Sequence, residues 1–171
     1  MDNCFYHLTH LPLLPKEYVD LASQSLYQNQ NGDNTTWARC FDFENTPLFK
    51  KLTQDFQRVN VVFYRNYPKS FFSWHKDEHL DELRNCAINF VLSHNPGALT
   101  LFSVDHIVGG YRSIEVCNYT FLAPTLFNAR VTHSVTNPTD SYRYILSIGI
   151  WKEPYNEVKE YFTNLKLDSY Y

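Results

Sequence analysis

The middle of the chain, residues 58–151, is a series of short apolar segments without helical periodicity, and this pattern most constrains the fold. The eight segments are rich in β-branched and aromatic residues, as strands are. They are 59–67, 71–75, 86–93, 99–102, 113–116, 119–122, 131–135 and 142–151. Turn-forming sequences such as Asn95-Pro96-Gly97 and Asn137-Pro138 separate them. Eight short strands with no helix between them predict an antiparallel sandwich or a small jelly roll.

Helical periodicity appears only on either side of this stretch. Apolar residues recur at helical spacing over residues 15–27 and again over 153–167. Thr46 is the expected N-cap of a further helix, because a proline follows it at the first helical position. The polar stretch 28–36 predicts a loop. We therefore expect helices at both ends of the chain to pack on the β core.

Length and composition indicate one ordinary domain. The 171 residues are 44% hydrophobic, 17% aromatic and 19% charged, which excludes intrinsic disorder and a coiled coil. No internal repeat or linker-like stretch divides the chain. We expect residues 1–171 to form a single domain whose β core spans about 58–151.

The charge balance and the first residues of the chain disfavour several classes of function. The net charge of −3 disfavours a generic binder of nucleic acid, which is normally basic. No apolar run approaches the ~20 residues that cross a bilayer, and the first residues lack a signal-peptide pattern. We expect a cytoplasmic protein without a membrane segment.

The four cysteines are far apart in the sequence and form no C-x-x-C pair. They are Cys4, Cys40, Cys86 and Cys117. In a reducing compartment this spacing indicates small buried side chains rather than disulfides or a zinc site.

The triplet His75-Lys76-Asp77 carries the first chemical signal. In an extended strand, residues i and i+2 point to the same side, so the imidazole and the carboxylate project together. Together they offer two ligands to a divalent first-row metal, and a second histidine would complete a 2-His-1-carboxylate triad. A single H-x-D triplet is weak evidence, since it occurs often by chance.

A distal histidine and an arginine make the signal more specific. His133 lies in a later strand segment, and Arg143 follows ten residues beyond it, at the start of an aliphatic strand. Burying an arginine there is costly unless it meets an anion, and its planar fork suits a carboxylate. Alternation along this strand places Ser147 on the same face as Arg143, and we expect both to face a pocket.

This combination resembles the 2-oxoglutarate/Fe(II)-dependent oxygenases, in particular their prolyl-hydroxylase-like branch. The matching motifs are YRNY at 64–67, SWHKDE at 73–78, AINFVL at 87–92, LTLF at 99–102, NARVTHSV at 128–135 and RYILSI at 143–148. The resemblance covers a little over half the chain and implies a double-stranded β-helix. One departure is Ala123-Pro124-Thr125, where many members carry glycine, and it concerns only the shape of a loop.

The resemblance also implies a set of roles. His75, Asp77 and His133 would bind Fe(II), and Arg143 would bind the C5 carboxylate of the co-substrate 2-oxoglutarate. Tyr64 matches the family's upstream tyrosine and would hydrogen-bond the same molecule. The implied reaction consumes dioxygen, releases succinate and CO₂, and hydroxylates an organic substrate.

Each of these residues also has an alternative, purely structural explanation. The histidines and Asp77 can form a hydrogen-bonded pair plus an unrelated core histidine, and Arg143 can form an ordinary ion pair. Tyr64 can be a core residue with a bonded hydroxyl. Trp74 and Arg130 lie beside the predicted ligands, as candidates either for substrate contacts or for structural roles.

Three functions follow from the sequence. The preferred one is hydroxylation of an amino-acid, peptide, protein or small-molecule substrate. The second is demethylation of alkylated nucleic acid, which the net charge disfavours. The third is a non-catalytic jelly-roll binding module, which the intact ligand set and Arg143 disfavour. We expect loops such as 28–36 and 78–85 to determine the substrate.

Overall fold

The structure, a computed structural model, describes residues 4–29, 35–79, 82–94, 97–106 and 110–171. The helices in these ranges are α1 (Glu17–Gln24), α2 (Phe41–Glu44), α3 (Pro47–Asp55) and α4 (Tyr155–Asn164). The strands there are β1 (Phe5–His7), β2 (Gln28–Asn29), β3 (Thr35–Arg39), β4 (Val59–Asn66), β5 (Ser70–His75), β6 (Glu78–His79), β7 (Glu82–Leu83), β8 (Cys86–Val91), β9 (Leu99–His106), β10 (Tyr111–Cys117), β11 (Pro124–Asn128), β12 (His133–Asn137) and β13 (Arg143–Ile150).

Two antiparallel sheets form the core. The larger has the strand order β1-β11-β8-β13-β4-β3-β2, and the smaller has the order β10-β9-β12-β5. From β4 to β13 the chain crosses repeatedly between them, so that β4, β8, β11 and β13 lie in one sheet and β5, β9, β10 and β12 in the other. This is a double-stranded β-helix, or jelly roll. The mainly β fold predicted from the sequence is confirmed.

The helices cover the outer face of the larger sheet. On β13, Leu146, Ile148 and Ile150 are fully buried and share one hydrophobic cluster with Leu52 of α3 and Phe162 of α4. Burying such side chains is worth roughly 1.5–3 kcal/mol each, so this cluster is the main apolar core.

The inner face of β13 carries a different set of residues. Arg143, Ile145, Ser147 and Gly149 alternate with the apolar residues, as the period of a strand requires. A second apolar cluster contains six buried residues, drawn from strands of both sheets and from the chain beside them. They are Cys4, Ala87, Phe102, Cys117, Phe127 and Ala129. This smaller cluster leaves room between the sheets for a cavity.

Most predicted elements are present, and the clearest difference lies in residues 119–128. Thr46 caps α3, since its hydroxyl accepts a hydrogen bond of 3.2 Å from the N–H of Phe49. The predicted strand at 119–122 is wrong, because Leu122 has a φ of 61°, in the left-handed region that interrupts an extended chain. The strand that pairs there is β11, which was not predicted from the sequence.

The polar stretch 28–36 is a loop only in part. It contains β2 and the first residues of β3, and residues 30–34 between them lie outside the described part of the chain. Across the described residues, no helix combines the length and the apolar character that crossing a bilayer requires.

Candidate metal centre

A cavity of about 470 Å³ lies between the two sheets. That volume is within the range of sites for small molecules, about 300–1,000 Å³. Its walls carry five of the predicted site residues, which are Tyr64, His75, Asp77, His133 and Ser147. The fold therefore brings to one cavity residues that lie far apart in the sequence.

The two histidines come from neighbouring strands of the smaller sheet. His75 ends β5 and His133 begins β12, and the register pairs them directly. Between them and the next pair, Val135 with Phe72, the register shifts by one residue on β5. Such a bulge re-aims side chains, and as a result Phe72 and His75 both line the cavity.

Asp77 follows the end of β5 rather than lying within a strand. Its N–H donates to the carbonyl oxygen of Ala129 at 3.3 Å, which anchors this segment beside the end of β11. Oδ1 of Asp77 lies 3.4 Å from Nε2 of His75 and 3.5 Å from Nε2 of His133. The same-side placement expected from H-x-D is thus present, although the strand ends two residues earlier.

Hydrogen bonds fix which ring nitrogen of each histidine is available. Nδ1 of His75 lies 2.7 Å from the carbonyl oxygen of Ser73, and Nδ1 of His133 lies 2.9 Å from that of Val131. A carbonyl oxygen only accepts, so each Nδ1 carries the proton and donates. Each Nε2 is left with a free lone pair directed at Asp77, the arrangement typical of metal-binding histidines.

Arg84 keeps the carboxylate of Asp77 ionised. Its Nε donates to Oδ2 of Asp77 at 2.9 Å, and its Nη2 contacts the same oxygen. Burial alone would raise the pKa of Asp77, but the charge of Arg84 holds that pKa well below its usual range. The carboxylate is therefore available as an anionic ligand at neutral pH.

The three donors fit a divalent metal. One nitrogen from each histidine and one oxygen of Asp77 lie within 4.8 Å of one another. Ligands at ~2.1 Å from one ion are at most ~4.2 Å apart, and both distances to Oδ1 satisfy this limit. Two imidazoles and one carboxylate on one side of a cavity match the donor set of non-haem Fe(II) sites that keep open positions.

Arg143 lies further into the barrel and is 1% exposed. Its Nη1 donates to the carbonyl oxygen of Leu99 and its Nη2 to Oγ1 of Thr100, both at 3.3 Å, and its guanidinium lies 5.4 Å from the ring centre of Tyr119. Among the described residues, no carboxylate lies within ion-pair distance. Burial lowers the pKa of Arg143, against the opposing effect of Tyr119. A buried cation without a counter-ion is a site for an anion.

Arg143 does not itself form part of the cavity wall, in contrast to the expectation from strand alternation; Thr100, to which it donates, does. Thr100 lies on β9 two residues from Phe102, which is paired with His133. That separation is about 7 Å along the strand. It is comparable to the length of a five-carbon dicarboxylate, so one such molecule is long enough to extend from the histidines toward Arg143.

Three buried polar atoms in the cavity wall have no hydrogen-bond partner among the described residues. They are Oδ1 of Asn66, Oδ1 of Asn89 and Oγ of Ser147, and all three residues line the cavity. Leaving such groups unpaired costs about 1–3 kcal/mol each. Of the three, only the hydroxyl of Ser147 can donate to an oxygen of 2-oxoglutarate. The two amide oxygens only accept, so they require a donor such as a bound water.

Two residues of the site were missed from the sequence. Arg84 lies in a stretch predicted only as a loop, and Tyr119 in a segment predicted as a strand. The hydroxyl of Tyr119 accepts a hydrogen bond of 3.3 Å from Asn89. No local sequence pattern identifies Arg84, because it meets Asp77 only when the β6–β7 hairpin is folded.

The remaining candidates are placed less centrally. Tyr64 lines the cavity, and its hydroxyl lies 3.5 Å from Nη1 of Arg84. Trp74 is 41% exposed, Arg130 is also exposed, and neither belongs to the described cavity wall. The side chains of Glu78, His79 and their neighbours through Leu83 lie outside what the structure describes.

Comparison of sequences finds no matching protein-family model and no matching curated protein. Comparison of structures finds many similar folds. A prolyl-4-hydroxylase from Pseudomonas putida aligns over 89% of this chain and 94% of its own, with 15% identity and a TM-score of 0.58. A 2OG-Fe(II) oxygenase family oxidoreductase from Burkholderia pseudomallei aligns over 81% and 78%, with 11% identity and a TM-score of 0.57.

HygX from Streptomyces hygroscopicus, solved with nickel, 2-oxoglutarate and hygromycin B bound, aligns over 86% of this chain and 83% of its own. The identity is 11% and the TM-score 0.55. At such identities the similarity establishes the fold, which this chain shares with 2-oxoglutarate-dependent oxygenases.

Proposed function

We propose that this chain is an Fe(II)- and 2-oxoglutarate-dependent dioxygenase that hydroxylates an amino-acid, peptide, protein or small-molecule substrate. The observation that carries the proposal is the convergence, in one cavity, of Nε2 of His75, Nε2 of His133 and Oδ1 of Asp77. The buried and uncompensated Arg143 at the far end supports it independently. The shared fold is consistent with both.

In this proposal the chain's own residues bind and orient. His75, His133 and Asp77 hold the metal from one side and leave its other positions toward the cavity. Arg143 binds the C5 carboxylate of 2-oxoglutarate through charge-assisted hydrogen bonds, and the hydroxyl of Ser147 donates to another oxygen of the same molecule. A bound Fe(II) supplies the activation of dioxygen, coupled to decarboxylation of 2-oxoglutarate, which no side chain can provide.

Tyr64 has a less direct place in this scheme. Its position on the cavity wall supports a hydrogen bond to the co-substrate, as the family resemblance implies. Its contact with Arg84 supports a second use of the hydroxyl, which is to hold the arginine beside Asp77. Removing the hydroxyl of Tyr64 would therefore remove both hydrogen bonds.

The substrate would bind on the side of the cavity opposite the histidines. Trp37, Trp151 and Val62 give this wall an apolar character, and Asn60 accepts a hydrogen bond of 2.7 Å from the indole of Trp151. Such a wall suits an apolar or aromatic part of a substrate. The net charge of −3 supports a substrate other than nucleic acid.

The test is a coupled measurement on the purified full chain. The protein is loaded anaerobically with Fe(II) and 2-oxoglutarate, exposed to dioxygen, and assayed for succinate with free amino acids, peptides and methylated oligonucleotides. A substrate should stimulate succinate release and gain one oxygen atom by mass, because the second oxygen atom enters succinate. Asp77→Asn serves as the inactive control.

The result separates the alternatives. Stimulation by methylated oligonucleotides alone would replace hydroxylation with nucleic-acid demethylation. A protein that neither binds Fe(II) nor forms succinate with any substrate would overturn the enzyme assignment and favour a jelly-roll binding module.

A further inference from the structure

The two oxygens of Asp77 have different partners. Arg84 is only 8% exposed, and two of its side-chain nitrogens contact Oδ2 of Asp77. Oδ1 of the same carboxylate is the atom that faces His75 and His133. One oxygen is therefore held by the arginine, and the other is directed at the proposed metal position.

The backbone reinforces this arrangement. The N–H of Arg84 donates to the carbonyl oxygen of Asp77 at 3.2 Å, so the two residues are joined through main chain and side chain alike. Between them the chain forms the two-stranded hairpin of β6 and β7. Arg84 thus returns to Asp77 at the base of that hairpin, where its side chain enters the cavity wall.

Gly149 provides the space for the arginine. A Cβ atom at Gly149 would lie 2.9 Å from Cδ of Arg84 and 2.5 Å from Oδ1 of Asn60, both closer than real contacts allow. Gly149 lies inside β13, where glycine otherwise weakens a strand. A glycine at this position is explained by the close approach of Arg84 and Asn60 rather than by an unusual backbone conformation.

We propose that Arg84 is a positioning residue that restricts Asp77 to one metal-binding oxygen, and that Gly149 makes this possible by leaving room for it. The inference rests on the proposed function, because it assumes the metal site. An unrestrained carboxylate can bind a metal through both oxygens and would occupy an additional coordination position. Holding Oδ2 keeps that position free for the co-substrate or dioxygen.

The test uses Co(II) as a probe, since its visible absorption reports coordination number and geometry without turnover. Arg84→Met removes the charge at similar side-chain length, and Arg84→Lys restores one donor. Gly149→Ala displaces the guanidinium without removing it. Arg39→Met, which alters an exposed arginine on β3, is the matched control.

We expect Arg84→Met to change the Co(II) spectrum and to weaken Co(II) binding about 10- to 100-fold, the usual cost of losing a partner of a metal ligand. Gly149→Ala should change the spectrum in the same direction, Arg84→Lys should recover part of the wild-type spectrum, and Arg39→Met should match the wild type. Circular dichroism of the metal-free proteins checks folding. If Arg84→Met fails to fold, the comparison of Gly149→Ala and Arg84→Lys decides the question.

Two outcomes would contradict the inference at different levels. Wild-type Co(II) spectra and affinities in folded Arg84→Met or Gly149→Ala would overturn the role of Arg84 while leaving the metal site intact. Failure of the wild-type protein to bind Co(II) would overturn the proposed function and this inference with it.

Discussion

His75 and His133 are direct cross-strand neighbours, and their ring centres lie 4.3 Å apart. Residues opposite each other in an antiparallel pair have Cβ atoms about 4.5–5.5 Å apart, so two imidazoles on one face reach a common point. The position of Asp77 just beyond the end of β5 then adds a carboxylate on the open side of the pair. The positions of the two histidines therefore depend on the register of β5 and β12.

The first prediction concerns metal binding. Replacing His133 by alanine should abolish tight binding of Fe(II) or Mn(II), because two remaining ligands rarely hold a first-row metal against water. Binding is measured by equilibrium dialysis and folding by circular dichroism. His94→Ala is the matched control, since His94 is exposed and stacks on Phe121 away from the site. Equal metal affinity in the two variants would remove His133 from the ligand set.

The second prediction concerns Arg143 and 2-oxoglutarate. Arg143→Met should weaken 2-oxoglutarate binding to the Mn(II)-loaded protein at least about 30-fold, since a desolvated charge pair is worth roughly 2–5 kcal/mol. Arg143→Lys should recover binding only in part, because an ammonium group cannot reproduce the two parallel hydrogen bonds of a guanidinium. Calorimetric titration measures both.

Although Arg143→Met should weaken 2-oxoglutarate binding, it should not destabilise the free protein. Without ligand, wild-type Arg143 is a buried cation that has no described carboxylate partner, so Arg143→Met should not lower the melting temperature of the free protein. Added 2-oxoglutarate should raise the melting temperature of the wild type and leave that of the variant unchanged. An equal rise in both would show that the co-substrate binds elsewhere.

The parts of this fold that were predictable from the sequence are those set by local patterns. Alternation on β13 correctly placed Ser147 on the cavity side of its sheet. The Thr46-Pro47 pair correctly marked the start of α3. The ligand triplet and the distal histidine were recognisable as motifs. Each of these depends on residues within one strand or one turn.

The parts that were missed depend on contacts between distant segments. All five residues of β11 are buried, so the strand shows no alternation, and its first residue Pro124 reads as a turn. Arg84 and Tyr119 reach the site through pairings that only the folded sheets create. No local pattern distinguishes such an arginine or tyrosine from one on the surface.

The third prediction concerns the four cysteines. All are buried, and burial raises the pKa of Cys4, Cys40, Cys86 and Cys117 to about 12 each. Because the thiolate is the reactive form, these thiols are much less ionised at pH 8 than ordinary thiols are. A disulfide reagent should therefore label none of them in the folded protein and all four after unfolding. Rapid labelling of a folded sample would contradict this burial.

The last prediction compares two buried serines that differ in hydrogen bonding. The hydroxyl of Ser147 is buried in the cavity wall without a partner, whereas that of Ser134 donates to the carbonyl oxygen of Phe72 at 2.7 Å. Ser147→Ala removes an unsatisfied group, so the free protein should become no less stable, while 2-oxoglutarate binding should weaken about 2- to 10-fold.

Ser134→Ala should do the reverse, because it removes a buried hydrogen bond to the Phe72 carbonyl oxygen where β12 meets β5. We expect it to lower the free energy of unfolding by about 0.5–1.5 kcal/mol. It should leave 2-oxoglutarate affinity unchanged, since Ser134 is not part of the described cavity wall. Urea unfolding of the metal-free proteins and titration of the Mn(II)-loaded proteins measure the two effects separately. If Ser147→Ala instead destabilised the free protein as much as Ser134→Ala, its hydroxyl would have a structural partner, and the co-substrate pocket would have to be placed elsewhere.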